Sequence, residues 1–231
     1  MALAGLGQAE DAGKADVAET ESIAIARTMA ERSYTKMNIR TQVLFDLIRT
    51  RRSYGLPDIV PIAVPEEHVR LMLEAANWAP SHGLTEPWRF TVFAGDARAE
   101  LGERFAEAYR LITPSEKYDP KAEEAQRKRS LGASVWISVG MLRTGNDKMP
   151  EWEDLASVAI AVQHIHLTAH SLGYAGKWVS GEIVRHDRVR ELIGLQPPSR
   201  LLGFFFLGWP TNGAAPQSQR SPIEDKVSWR R

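Results

Sequence analysis

The chain of 231 residues contains no cysteine. Disulfides, thiolate catalysis and cysteine-ligated metals are excluded, and the composition is compatible with a reducing cytosol. Net charge is also missing, because 29 lysines and arginines balance 29 aspartates and glutamates. That balance gives no support to nucleic acid or an anionic membrane as the main partner. No apolar run is long enough to cross a bilayer, and the N-terminus has neither the basic start nor the continuous apolar stretch of a signal peptide. A soluble, cytoplasmic protein is expected. Neither a G-x-G-x-x-G nor a P-loop pattern occurs, which argues against a Rossmann or NTPase phosphate cradle.

What is present divides unevenly. Residues 1–36 are rich in Ala, Glu, Asp and Gly and hold no aromatic residue before Tyr34. Such a stretch buries too little to offset the entropy of ordering it, so a flexible arm is expected, with a marginal helix running from Ile23 through Met29. Met37 stands just before the globular pattern and is a candidate start of the folded domain. Residues 37–231 are expected to form that one domain, with enough apolar material for a sizeable core.

Periodicity sets the elements. Val43, Leu44, Leu47 and Ile48 recur at helical spacing up to Arg49. Pro65-Glu66-Glu67 opens a second helix that runs to about Trp78. Residues 90–93 read as a strand and 97–109 as a helix, followed by a charged stretch, 114–129, that reads as a solvated helix or a lid. Residues 133–142 and 202–207 read as strong strands, and Val189 to Ile193 as a short helix. The longest helix, 151–172, has Glu151, Glu153 and Asp154 at its start and no further Asp, Glu, Lys or Arg. An apolar surface on all sides predicts burial on all sides, with the core on one side and a subunit interface on the other. Unequal helices between short strands, without regular β-α-β spacing, predict an α+β fold.

Four clusters could carry chemistry. Arg51-Arg52-Ser53 sets two guanidinium groups and a hydroxyl side by side, which suits a phosphate monoester; alone, it also reads as a basic helix end. Ala79-Pro80-Ser81-His82 and Pro87-Trp88 frame a turn-rich loop. Gly176-Lys177-Trp178-Val179-Ser180-Gly181 allows close backbone approach, and alone reads as a tight connection with Trp178 as core filling. Arg220-Ser221-Pro222 lies near the C-terminus, where an arginine is ordinarily solvated. His164, His166 and His170 invite a metal, but with no acidic ligand in that stretch of the helix they read better as histidines satisfied by hydrogen bonds. Glu123-Glu124, among Lys121, Arg127 and Lys128, reads as a solvated face.

The R-R-S helix end and the A-P-S-x(5)-P-W loop, in that order and spacing, resemble the FMN-dependent nitroreductase family, in its small single-domain NAD(P)H branch. The resemblance covers about residues 40–229. It implies a central, mainly antiparallel sheet flanked by helices, and a homodimer joined through the long helix. By resemblance Arg51, Arg52 and Ser53 contact the FMN phosphate and ribityl chain, and Arg220 assists. Trp78, Pro80, Ser81 and His82 belong to the loop region that approaches the partner subunit's flavin. Trp178, Val179 and Ser180 border the ring, and Thr168, Ala169, His170, Ser171, Leu172 and Gly173 contact the nicotinamide cofactor. The implied reaction is ping-pong hydride transfer from NADPH or NADH through FMN to a nitroaromatic, a quinone or a similar acceptor, with no side chain needed as nucleophile. The alternatives are reductive dehalogenation or flavin fragmentation on the same fold, for which 114–129 is the candidate lid, or an FMN-binding module without turnover. The chain departs from the pattern where R-R-S-x-R becomes R-R-S-Y-G and where Leu84-Thr85-Glu86 replaces the common Asn-Gln before Pro-Trp.

Overall fold

The computed structural model describes residues 38–143, 150–211 and 215–231. The expected arm, residues 1–36, lies outside them. Two units meet at Arg49/Thr50. In the first, helix α1 (Ile39–Thr50) starts at Asn38, whose side-chain oxygen accepts the Thr41 amide at 3.0 Å, as a helix N-cap does. The helical spacing of its apolar residues is borne out, although none of the residues is buried.

The second unit, Thr50–Arg231, is built on one six-stranded sheet. Its strands are β1 (Ile59–Val60), β2 (Trp88–Arg89), β3 (Val92–Ala94), β4 (Val135–Met141), β5 (Ala175–Val179) and β6 (Arg200–Pro210). Central β4 and β6 pair with each other, and every pairing between named strands is antiparallel. The helices are α2 (Glu66–Asn77), α3 (Ala97–Ile112), α4 (Pro120–Arg129), α5 (Glu151–Ser171), α6 (Glu182–Arg185) and α7 (Asp187–Leu192). The expected α+β class with a mainly antiparallel sheet is what forms. The strand read at 90–93 is two short ones, β2 and β3, flanking Phe90 and Thr91. β1, β5 and α6 had no clear periodic signal.

The period of two along a strand sends alternate side chains to two cores. Val135, Ile137, Val139, Phe205 and Leu207 face α2 and α5. Trp136, Phe204 and Phe206 face the other way, toward Leu101 and Phe105 of α3 and Val189 of α7. Trp136 is fully buried, and its indole N–H donates to the Ser130 carbonyl at 2.8 Å.

Helix α4 corrects two expectations. Glu123 does not lie on a solvated face: it is only 6% exposed and accepts the Tyr118 hydroxyl at 2.7 Å and Arg127 Nη2 at 3.1 Å. Those donors, the tyrosine first, hold its carboxyl below the usual carboxylate range. Nor is the segment a free lid. Arg127 pairs with Glu103 of α3 at 3.0 Å, and Tyr109 and Tyr118 bring their rings to 6.2 Å. It is docked on α3, across the sheet from α2 and α5.

Helix α5 has two unlike faces within one chain: Ser157, Val158, Ala161, Val162, Ile165 and Ala169 face inward on the core, as expected, while Trp152, Leu155 and Ile160 are exposed.

Candidate functional site

Arg51 and its neighbours leave the end of α1 and latch onto the sheet. Ser53 forms an isolated parallel bridge with Gly176 of β5, and the Tyr54 amide donates to the Gly176 carbonyl at 3.1 Å. Arg52 Nε donates to the Pro216 carbonyl at 3.0 Å, which brings the C-terminal segment carrying Arg220 alongside. Arg220 itself donates to the Gln219 carbonyl at 2.9 Å and to Ser218. Burial lowers the pKa of the Arg51 guanidinium, and the positive charges of Arg52 and Arg220 lower it further. Arg51 Nε is buried with no hydrogen-bond partner. Three guanidinium groups drawn together, one with an orphaned donor, suit a multiply charged oxyanion.

Helix α5 supplies the floor. His166 Nε2 lies 3.0 Å from the Arg52 carbonyl and Nδ1 lies 3.5 Å from Arg51 Nη1. His170 Nε2 lies 2.8 Å from Thr50 Oγ1, and His164 Nδ1 donates to the Ala75 carbonyl at 3.0 Å. Each histidine is thus turned to its own partner. Among the described residues no group of three or more His, Asp or Glu is placed to hold a metal. Sequence reasoning missed His166 as a site residue; a histidine inside an apolar helix looks like any satisfied core histidine.

Burial, then the Arg51 charge, pushes the His166 imidazole down to about 4. This makes folding acid-sensitive. The unfolded chain binds the proton near pH 6.5 and the native state does so only near 4, so stability falls as pH drops through that window. The shift corresponds to about 3 kcal/mol. Chemical denaturation of wild type and His166→Gln between pH 7.5 and 4 should show wild type losing about that much more; parallel curves would contradict it.

The last turn of α5 holds Thr168, Ala169, His170 and Ser171, with Leu172 as its C-cap. It closes with Gly173 at φ +84°, Gly173 N–H donating to the His170 carbonyl at 3.0 Å and Tyr174 N–H to the Ala169 carbonyl at 2.9 Å. This is a Schellman cap, and only glycine takes that φ without strain. The chain then enters β5. Trp178 stands opposite Phe205 and packs against the core on the α5 face; its indole Nε1 is buried without a partner. Val179 packs against the opposite core, and Ser180 is exposed at the strand end. An indole wall with an unsatisfied donor suits a flat ring bearing acceptors.

The loop residues fall elsewhere. Trp78 is exposed at the end of α2, its Nε1 donating to Glu74 at 3.0 Å, and Pro80 is exposed beyond it. Ser81 Oγ accepts the Glu86 amide at 3.3 Å, across a turn in which Leu84 and Glu86 take φ of 53° and 43°. His82 Nδ1 meets the Glu153 carboxylate at 2.5 Å, and Thr85 Oγ1 donates to Asp154 at 3.3 Å. The loop is therefore pinned to the first turn of α5, whereas Arg51 and Arg52 meet α5 at His166. His166 lies thirteen positions beyond Glu153 along the helix, about 20 Å at 1.5 Å per residue. Within one chain, Arg51, Arg52, Ser53, Arg220 and the Trp178 strand converge, and His82 stands apart from them.

Comparison with known proteins places the sequence and the fold in one family. A sequence model described as the nitroreductase family matches residues 48–209. YfhC of Bacillus subtilis, provisionally designated an NAD(P)H nitroreductase, is 31% identical over 189 residues, covering 80% of this chain and 93% of the relative. The crystal structure of a nitroreductase-like family protein from Bacillus cereus superposes with a TM-score of 0.69 at 26% identity, over 80% of this chain and 94% of that one. A Desulfovibrio desulfuricans protein, provisionally designated a nitroreductase and crystallised with FMN, gives 0.59 at 27% identity, over 84% and 98%. With the family's sequence model spanning most of the chain and the fold matched over four-fifths of it, the chain belongs to the nitroreductase family.

Proposed function

We propose that this protein is an FMN-dependent oxidoreductase fuelled by NADPH or NADH. The observation that carries the reading is the buried, unpartnered Nε of Arg51 beside Arg52 and Arg220. A chain that gathers cations and leaves a donor orphaned is organised for a phosphate. FMN, when bound, supplies hydride acceptance from the nicotinamide and onward reduction of a nitroaromatic, a quinone or a similar acceptor in alternating half-reactions.

The chain's own residues bind and orient. Arg51, Arg52, Ser53 and Arg220 hold the phosphate and ribityl end; Trp178, Val179 and Ser180 wall the ring; Thr168, Ala169, His170, Ser171, Leu172 and Gly173 border the nicotinamide. No side chain acts as a nucleophile. Trp78, Pro80, Ser81 and His82 complete the site of a second copy. A homodimer is favoured by the exposed Trp152, Leu155 and Ile160 on α5 and by Trp78, 78% exposed, since a lone soluble chain rarely leaves such a set open. The functional domain on this reading is residues 37–231, in the cytoplasm. Dehalogenation or flavin fragmentation under a lid is less favoured, because 114–129 is docked on α3.

Adding FMN to flavin-depleted protein while following flavin fluorescence, with light scattering for mass, tests the binding half of the proposal. Quenching that saturates at one FMN per chain in a dimer is expected. A protein that takes up no FMN, or a monomer that binds it fully, would contradict the reading.

A further inference from the structure

We infer that His166 is a positioning residue: its ring, fixed between the Arg52 carbonyl and the Arg51 guanidinium, sets which edge of Arg51 is presented to the phosphate. The inference rests on the flavin reading above. Its partners fix the tautomer. Arginine only donates, so Nδ1 must accept from Arg51 Nη1, and Nε2 must carry the hydrogen that it gives to the Arg52 carbonyl. The depressed basicity noted above keeps the ring neutral near pH 7, so the lone pair on Nδ1 persists. The ring is 7% exposed and meets Phe205 edge-on at 5.0 Å, which holds its plane.

The consequence lies in the geometry of the guanidinium. With Nη1 turned to His166, the other edge, Nε with Nη2, is left as the two-pronged fork that matches two oxygens of a phosphate. The orphaned Nε belongs to that edge. Sequence distance hides this arrangement, because His166 lies 115 residues from Arg51 and 114 from Arg52.

A side chain that only filled the core would support the whole site equally; one that aims Arg51 would support the phosphate alone. FMN and riboflavin differ in that phosphate, so their affinities separate the two roles. Dissociation constants for both flavins, from quenching of flavin fluorescence, are compared in wild type, His166→Phe and His166→Gln. Phenylalanine keeps a ring on Phe205 but no polar atom; glutamine keeps a donor and an acceptor. FMN affinity should fall about tenfold to a hundredfold in His166→Phe, the range for a hydrogen bond to a charged group, with riboflavin unchanged within about twofold. Glutamine should restore most of the difference, and inorganic phosphate should compete with FMN more weakly in the phenylalanine variant.

Equal weakening of both flavins, or no weakening of either, would overturn the inference. If His166→Phe does not fold, His166→Leu serves in the same comparison. Wild-type protein that binds neither flavin would remove the flavin reading itself, a result distinct from the other two.

Discussion

Replacing Arg51 by methionine should raise the dissociation constant for FMN about a hundredfold or more and leave riboflavin nearly untouched. Methionine keeps an unbranched apolar stem, so the change removes charge and donors and little volume. Removing one partner of a buried charge-assisted hydrogen bond costs about 2–5 kcal/mol, and each 1.4 kcal/mol is about tenfold in affinity. Arg51→Lys should recover only a part, since an ammonium is a point charge that cannot present the Nε–Nη2 fork. Arg52 is tied to the Pro216 carbonyl and to the Arg51 carbonyl at 2.9 Å, so its replacement should loosen the C-terminal segment as well. Fluorescence titration of both flavins checks the prediction; equal losses for FMN and riboflavin, or none, would count against Arg51 as the phosphate anchor.

Gly203→Ala should destabilise the fold by about 3 kcal/mol or more and lower Tm by roughly 10 °C, because strained and overpacked backbone sites give the large values among point mutants. Gly203 lies in β6 at φ +129°, a conformation closed to side chains. A Cβ added there would stand 2.0 Å from the Val179 carbonyl oxygen and 3.0 Å from Ser180 Cα. Both are backbone atoms, so no rotamer change relieves the clash. β5 must move away from β6, and it carries Trp178, Val179 and Ser180 with it. Lost flavin retention should therefore accompany the lost stability, measurable by thermal unfolding with and without FMN. A variant within about 0.5 kcal/mol of wild type, the range of neutral surface changes, would show that the close approach is not needed.

Much of this architecture can be read from residue order. Helix α2 announces itself with Pro65 and two acids, and β4 and β6 with dense apolar runs. Arg51-Arg52-Ser53 is visible as two adjacent guanidinium groups and a hydroxyl, and the fold draws Arg220 near the two arginines. β5 is less visible: glycine, lysine and a single indole offer no alternation, and the segment becomes a strand because β6 pairs along it. Glu123 looks solvated among its charged neighbours, yet Tyr118 and Arg127 close over it. α5 reads as buried on every side, while a single chain covers only half of it. The pinning of His82 to Glu153 is likewise invisible, since it joins residues 71 apart. The β5 pairing and the His82 contact are long-range, and local pattern carries no record of them; Glu123 is closed over by near neighbours, Tyr118 and Arg127, whose packing the charge pattern does not show.

Turnover through a bound flavin is open to a direct test: an anaerobic absorbance titration of the FMN-loaded protein, first with NADPH and then in a fresh sample with NADH. At least one donor should bleach the flavin bands at one equivalent per FMN. A nitroaromatic or a quinone should then restore them. Bound FMN that neither donor bleaches would contradict the account and leave a protein that holds flavin without turning it over.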